Sequence, residues 1–213
     1  MTLNAKTISI LDYGIGNLLS VQRALDAVGA SWTMVKTPEE VKLSDKLILP
    51  GVGAFMHCAN TLEAAGLNEA IIEHANSGKA LLGICVGMQL LFDYGLEQGR
   101  CDGLGLISGY IDKIPDQQDD GSARKIPHIG WSELFLDEEC PLFHNFSHIP
   151  AAYFVHSYMV IPEHSNHVIA RCNYEGADIT CGVQKENIFG LQFHPEKSAQ
   201  AGLEILSNFD SRI

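Results

Sequence analysis

The chain has 213 residues, 46% of them apolar and 19% charged, with a formal net charge of −12. That length supports one large domain with a full core and is short for two, so residues 1–213 are expected to fold as a single domain. The acidic balance argues against nucleic acid as a partner, and no apolar run reaches membrane-spanning length.

In chain order, Thr7–Leu11 is a short apolar strand, and Asn17–Val28 has helical spacing with Leu18, Val21, Leu25 and Val28 on one side. Trp32–Val35 and Lys46–Leu49 read as buried strands, the second ending at Pro50-Gly51. Thr61–Asn76 reads as one helix with Leu62, Ala65, Ala70, Ile71 and Ala75 turned inward. Ala80–Ile84 is a further strand, followed by a helix carrying Gln89, Leu90 and Leu91. This alternation, with strands too apolar to face water, predicts a three-layer α/β fold: a mostly parallel sheet with helices on both faces. Beyond the polar Asp116–Gly121 loop, short strands are expected at Gly130–Phe135, Ala152–His156, Val168–Cys172, Ile179–Gln184 and Ile188–Phe193, some of them antiparallel at one edge. Ala199–Phe209 closes the chain as a helix with Leu203, Leu206 and Phe209 inward. The N-terminus has no basic and apolar leader, and the six cysteines are widely scattered, so reduced thiols and a cytoplasmic location are expected.

The run Gly83-Ile-Cys85-Val-Gly87 is where an apolar strand must turn sharply into a helix. Glycines on either side leave the thiol unobstructed, and unpaired N–H groups at the helix start favour negative charge there, so Cys85 is a candidate nucleophile. A nucleophilic thiol needs a base, and His194-Pro195-Glu196, just past an apolar strand, offers an imidazole with a carboxylate to orient it. Gly51-Val52-Gly53, also after a strand, can turn its peptide N–H groups toward an oxyanion, with the N–H of Val86 as a second donor. Other patterns carry less. Gly14-Ile-Gly16 and Gly51-Val-Gly53 lack the third glycine of a dinucleotide fingerprint, which would fall at Leu19 and Met56. Cys140, His144 and His148 sit at regular intervals, but Pro141 and Asn145-Phe-Ser147 break a helical register and no fourth ligand is evident; no metal and no cofactor is expected. These histidines, with His164 and His167, read as exposed loop residues.

Gly83-Ile-Cys85-Val-Gly87-Met-Gln89 together with His194-Pro195-Glu196 resembles the class I (triad) glutamine amidotransferases. Asp12-Tyr-Gly-Ile-Gly-Asn17-Leu, Pro50-Gly-Val-Gly-Ala-Phe55, Lys125-Ile-Pro-His-Ile-Gly-Trp131 and Tyr153-Phe-Val-His-Ser-Tyr158 extend the resemblance to the branch of that family serving histidine biosynthesis. The resemblance implies a flavodoxin-like sheet and a Cys85–His194–Glu196 triad that hydrolyses the side-chain amide of glutamine. It implies that Gln89, Glu97, Ser157 and Tyr158 bind the substrate. It further implies a heterodimer with a (β/α)8-barrel cyclase, which takes the ammonia to make imidazole glycerol phosphate and a purine precursor, with Asn17, Trp131 and Lys197 near that interface. The chain departs from the family at Ser132, where asparagine is usual, and at Val86, where leucine is usual. Other readings are a related subunit feeding ammonia to a different synthase, a stand-alone cysteine hydrolase, and a non-catalytic binding module.

Overall fold

The computed structural model of the chain describes residues 7–118, 120–146 and 149–213. The elements run β1 (Ile8–Leu11), α1 (Leu18–Val28), β2 (Trp32–Val35), α2 (Pro38–Leu43), β3 (Lys46–Gly51), α3 (Phe55–Ala64), α4 (Asn68–Asn76), β4 (Ala80–Cys85) and the one-turn helix α5 (Val86–Gln89). There follow β5 (Phe92–Gly95), β6 (Cys101–Asp102), β7 (Ile107–Lys113), β8 (His128–Glu133), β9 (Phe135–Leu136), β10 (Ala151–His156) and β11 (Tyr158–Pro162). The chain ends with β12 (Val168–Tyr174), β13 (Ala177–Lys185), β14 (Ile188–Leu191) and helix α6 (Ala199–Arg212).

The main sheet has the order β2-β1-β3-β4-β14-β13-β12-β9. Strands from β2 to β14 pair in parallel, and β13, β12 and β9 extend the sheet antiparallel. β1, β3, β4 and β14 are buried at every position, because helices cover both faces of the parallel half. The chain steps one way across the sheet from β1 to β2 and the other way from β2 through β3 to β4. Right-handed crossovers therefore put α1 on one face and α2, α3 and α4 on the other. The packing agrees: α1 lies against α6, and α2 against α4. A smaller sheet, β11-β7-β5-β6, and the ribbon β10-β8 are separate from the main sheet.

The α/β expectation holds, with local corrections. The predicted Thr61–Asn76 helix is two helices, because Gly66 adopts φ +67° between α3 and α4. Leu62, Ala70, Ile71 and Ala75 are buried as expected, whereas Ala65 falls in the break and is exposed. β2 is an edge strand, so only Val35 is buried and Trp32 is half-buried. The helix after Cys85 is a single turn; Leu90 and Leu91 lie beyond it and lead into β5. The expected Gly130–Phe135 strand is His128–Glu133 followed by the two-residue β9. Within Asp116–Gly121, residue 119 lies outside the described residues; Gln117 bridges Ala123 and the rest is exposed or half-buried. Among the described residues all six cysteines are free thiols, and no helix is long and apolar enough to cross a membrane.

Candidate active site

β4 delivers Cys85 at its last position, and α5 begins at the next residue. Cys85 has φ +56° and ψ −113°, a backbone strained for any residue with a Cβ and held only where its surroundings enforce it. Those surroundings are glycines in close approach. A Cβ on Gly83 would stand 2.5 Å from the Gly87 carbonyl oxygen, one on Gly87 1.9 Å from the Leu49 oxygen, and one on Gly51 2.6 Å from the Gly87 nitrogen. The ends of β3 and β4 and the first turn of α5 thus interlock at backbone distance, with Gly51 in register opposite Cys85. Since α5 is one turn long, its dipole contributes less at Cys85 than a full helix would.

β14 ends at Leu191, and the following segment brings His194 to the same end of the sheet. The backbone N–H of His194 donates to Tyr153 O at 3.0 Å, and Ser198 Oγ donates to His194 O at 2.7 Å. Nδ1 of the imidazole meets Glu196 Oε1 at 2.8 Å, with side chains 3% and 1% exposed. Nε2 is buried and has no hydrogen-bond partner of good geometry among the described residues. Burial acts to lower the pKa of His194, but hydrogen bonding and charge from Cys85 and Glu196 outweigh it and raise it to about 10.

The turn after β3 is tethered by side chains. Tyr13 Oη donates to Pro50 O at 2.9 Å, Cys58 Sγ to Val52 O at 3.4 Å, and the Phe55 N–H donates to Glu97 Oε2 at 2.7 Å. The Gly51–Val52 peptide carries no side-chain tether, and the N–H groups of Val52 and Gly53 have no acceptor among the described residues. Gly53 adopts φ +90°.

Gln89 on α5 donates from Nε2 to Tyr158 O at 3.3 Å and to Gln192 Oε1 at 3.0 Å. Gln192, fully buried, turns its own Nε2 to Cys85 Sγ at 3.8 Å. Gln192 is not among the residues expected from the sequence, although a glutamine inside the apolar Ile188–Phe193 run, two positions before His194, is a detectable signal. His156 was missed likewise; its Nδ1 lies 2.8 Å from Tyr158 O.

These groups surround one cavity of about 330 Å³, lined by Val52, Gly53, Cys85, Val86, Gln89, Glu97, Ser157, Tyr158 and His194 together with Pro127, Val155 and His156. Glu196 stands behind His194, outside the lining. Trp131 (55% exposed) and Lys197 border a separate shallow groove with Glu196, Ser20 and Arg23, and Asn17 adjoins it through a 2.9 Å hydrogen bond from Ser20 Oγ. Of the discounted ligands, Cys140 is buried, His144 and His164 are exposed and His167 is half-buried, while His148 lies outside the described residues.

Residues 9–211 match the family model for glutamine amidotransferase class-I. The chain belongs to that family. The amidotransferase is 44% identical over 203 residues to the imidazole glycerol phosphate synthase subunit HisH of Syntrophotalea carbinolica, covering 95% of this chain and 98% of that protein. It is 43% identical to the subunit of the same name from Geobacillus sp. (strain WCH70), covering 97% of each. Among solved structures, it resembles one titled as a glutamine amidotransferase (TM-score 0.73, 17% identity, 97% of this chain and 99% of that one). It also resembles PurLQS from Thermotoga maritima (TM-score 0.73, 19% identity, 96% and 97%). At such identities the likeness shows the fold.

Proposed function

We propose that this amidotransferase is the glutaminase subunit of an imidazole glycerol phosphate synthase, and that Cys85, His194 and Glu196 carry its chemistry. The near full-length identity to HisH proteins supports the pathway. The convergence of Cys85, His194, the Val52–Gly53 turn and Gln89 on one cavity is the observation that carries the mechanism.

The sulfur of Cys85 attacks the carboxamide carbon of glutamine, forming a C–S bond and moving the carbonyl electrons onto oxygen. N–H groups of Val52 or Gly53, with that of Val86, stabilise this oxyanion. His194 holds the proton taken from the thiol and passes it to the leaving nitrogen as the C–N bond breaks, giving ammonia and a glutamyl thioester. Water then attacks the thioester while His194 takes its proton; the C–S bond breaks and glutamate leaves. Glu196 orients the ring and favours its protonated form. Gln89, Glu97, Ser157 and Tyr158 hold the amino acid end of the substrate.

The ammonia passes to a (β/α)8-barrel cyclase docked on the face that carries Trp131. On that face Ile129, Trp131 and Val155 are exposed, and Trp131 packs edge-on against Tyr153 across the β8–β10 ribbon. A contiguous exposed apolar face of this kind suits a protein partner. A cytoplasmic location accords with the free thiols and with this role. The test is Cys85→Ala in the assembled synthase. Glutamine-dependent product formation is expected to vanish while formation from added ammonium salt persists; persistence of the glutamine-dependent reaction would refute the assignment.

A further inference from the structure

From the cavity wall at His156 and Tyr158 a line of hydrogen-bonded polar groups runs inward through His128 to Ser132, and the hydrolysis mechanism has no use for its histidines or its serine. Ser132 Oγ is 2.9 Å from His128 Nε2, His128 Nδ1 is 3.0 Å from His156 Nε2, and His156 Nδ1 is 2.8 Å from Tyr158 O. His128 and His156 are 1% and 6% exposed, and the His128 ring is stacked on Phe154 and Tyr174, with centroids at 4.6 and 3.9 Å. Gly130 stands between Ser132 and His128 on their strand at φ +141°, with open space where a side chain would be.

The directions in this line follow by elimination. A carbonyl oxygen only accepts, so His156 Nδ1 carries a hydrogen. If His156 is neutral, its Nε2 accepts, so His128 Nδ1 donates; if His128 is neutral, its Nε2 accepts from the Ser132 hydroxyl. Burial drives both histidines toward the neutral form, lowering each to about 4 against the opposing charge of Glu175 at His128. At His156 the bond to Tyr158 acts to raise the value, while the neighbouring His128 and His194 push it further down. Protonating His156 would set its Nε2–H against the Nδ1–H of His128 at 3.0 Å, and protonating His128 would replace the acceptor that the Ser132 hydroxyl meets at Nε2 with a donor. The same Tyr158 oxygen accepts from Gln89 Nε2, whose other hydrogen goes to Gln192, which in turn points an N–H at Cys85 Sγ.

We propose that Ser132, His128 and His156 are positioning residues forming a relay with fixed tautomers. The relay aims the Tyr158 carbonyl and thereby sets Gln89 and Gln192 against Cys85. It begins beside Trp131 and ends at the proposed nucleophile. The link from Gln89 to glutamine rests on the function proposed above; the relay itself does not.

Two measurements test it. Long-range proton–nitrogen NMR of the imidazoles in the full chain at neutral pH is expected to find both His128 and His156 protonated at Nδ1 alone. An Nε2–H tautomer or a doubly protonated ring at either would overturn the relay, whatever the enzyme does. In the assembled synthase, Ser132→Ala is expected to raise the KM for glutamine about five-fold with kcat changed less than about two-fold, and Ser132→Thr, which keeps the hydroxyl, to restore it. An unchanged KM, equal loss in kcat and KM, or failure of threonine to rescue would contradict it. If glutamine is not hydrolysed at all, the proposed function fails while the NMR result still decides the relay.

Discussion

His194 is pulled in opposite directions: burial disfavours its charge, while Glu196 and Cys85 favour it, and the second pair wins. A histidine raised to about 10 adds stability that is complete below its unfolded pKa of about 6.5 and lost as pH rises through about 10. Glu196→Gln removes one of the favouring charges, so the histidine pKa falls, and the pH dependence of stability between those limits flattens. Denaturant midpoints measured across that range check this; an unchanged slope would mean that Glu196 does not hold the proton. The same variant is expected to slow glutamine hydrolysis about a hundred-fold and to move the alkaline fall in rate to lower pH. Cys85, His194 and Glu196 were legible because their neighbours announce a turn. Gln192 and His156 were not, since a polar residue inside an apolar strand reveals its partner only once strands from distant parts of the chain are side by side.

At the scale of elements, the elbow depends on backbone approach rather than on side-chain packing. Gly87→Ala would drive a methyl group into the Leu49 carbonyl, so the strand, the turn or both must move. A loss of about 3 kcal/mol is expected from urea unfolding, with glutamine hydrolysis abolished; a variant of unchanged stability and activity would show that β3 and α5 do not meet this way. Strands β1, β3 and β4 were legible because full burial leaves continuous apolar runs. α2 was passed over despite the capping box at Thr37 and Glu40, and β5, β7 and β11 because half-exposed strands of a small second sheet lack such runs. The α3–α4 break was misjudged because the apolar spacing runs on through Gly66 while its left-handed backbone ends the helix.

For the whole molecule, the main sheet fixes Cys85 and His194, while the β8–β10 ribbon places an apolar face beside them. Trp131→Ala is expected to weaken binding of the barrel subunit about thirty-fold while leaving the fold intact, as read by calorimetric titration and circular dichroism. Binding of unchanged strength would place the interface elsewhere. The Gly51–Val52 peptide, which no side chain holds between the points fixed by Tyr13 and Cys58, is where docking of a partner is expected to complete the oxyanion site. Glutamate release by the wild-type chain, alone and with the barrel subunit plus its ribulosyl nucleotide, tests this coupling most directly. Turnover is expected to be weak alone and to rise sharply in the liganded complex; equal rates in the two conditions would contradict the account.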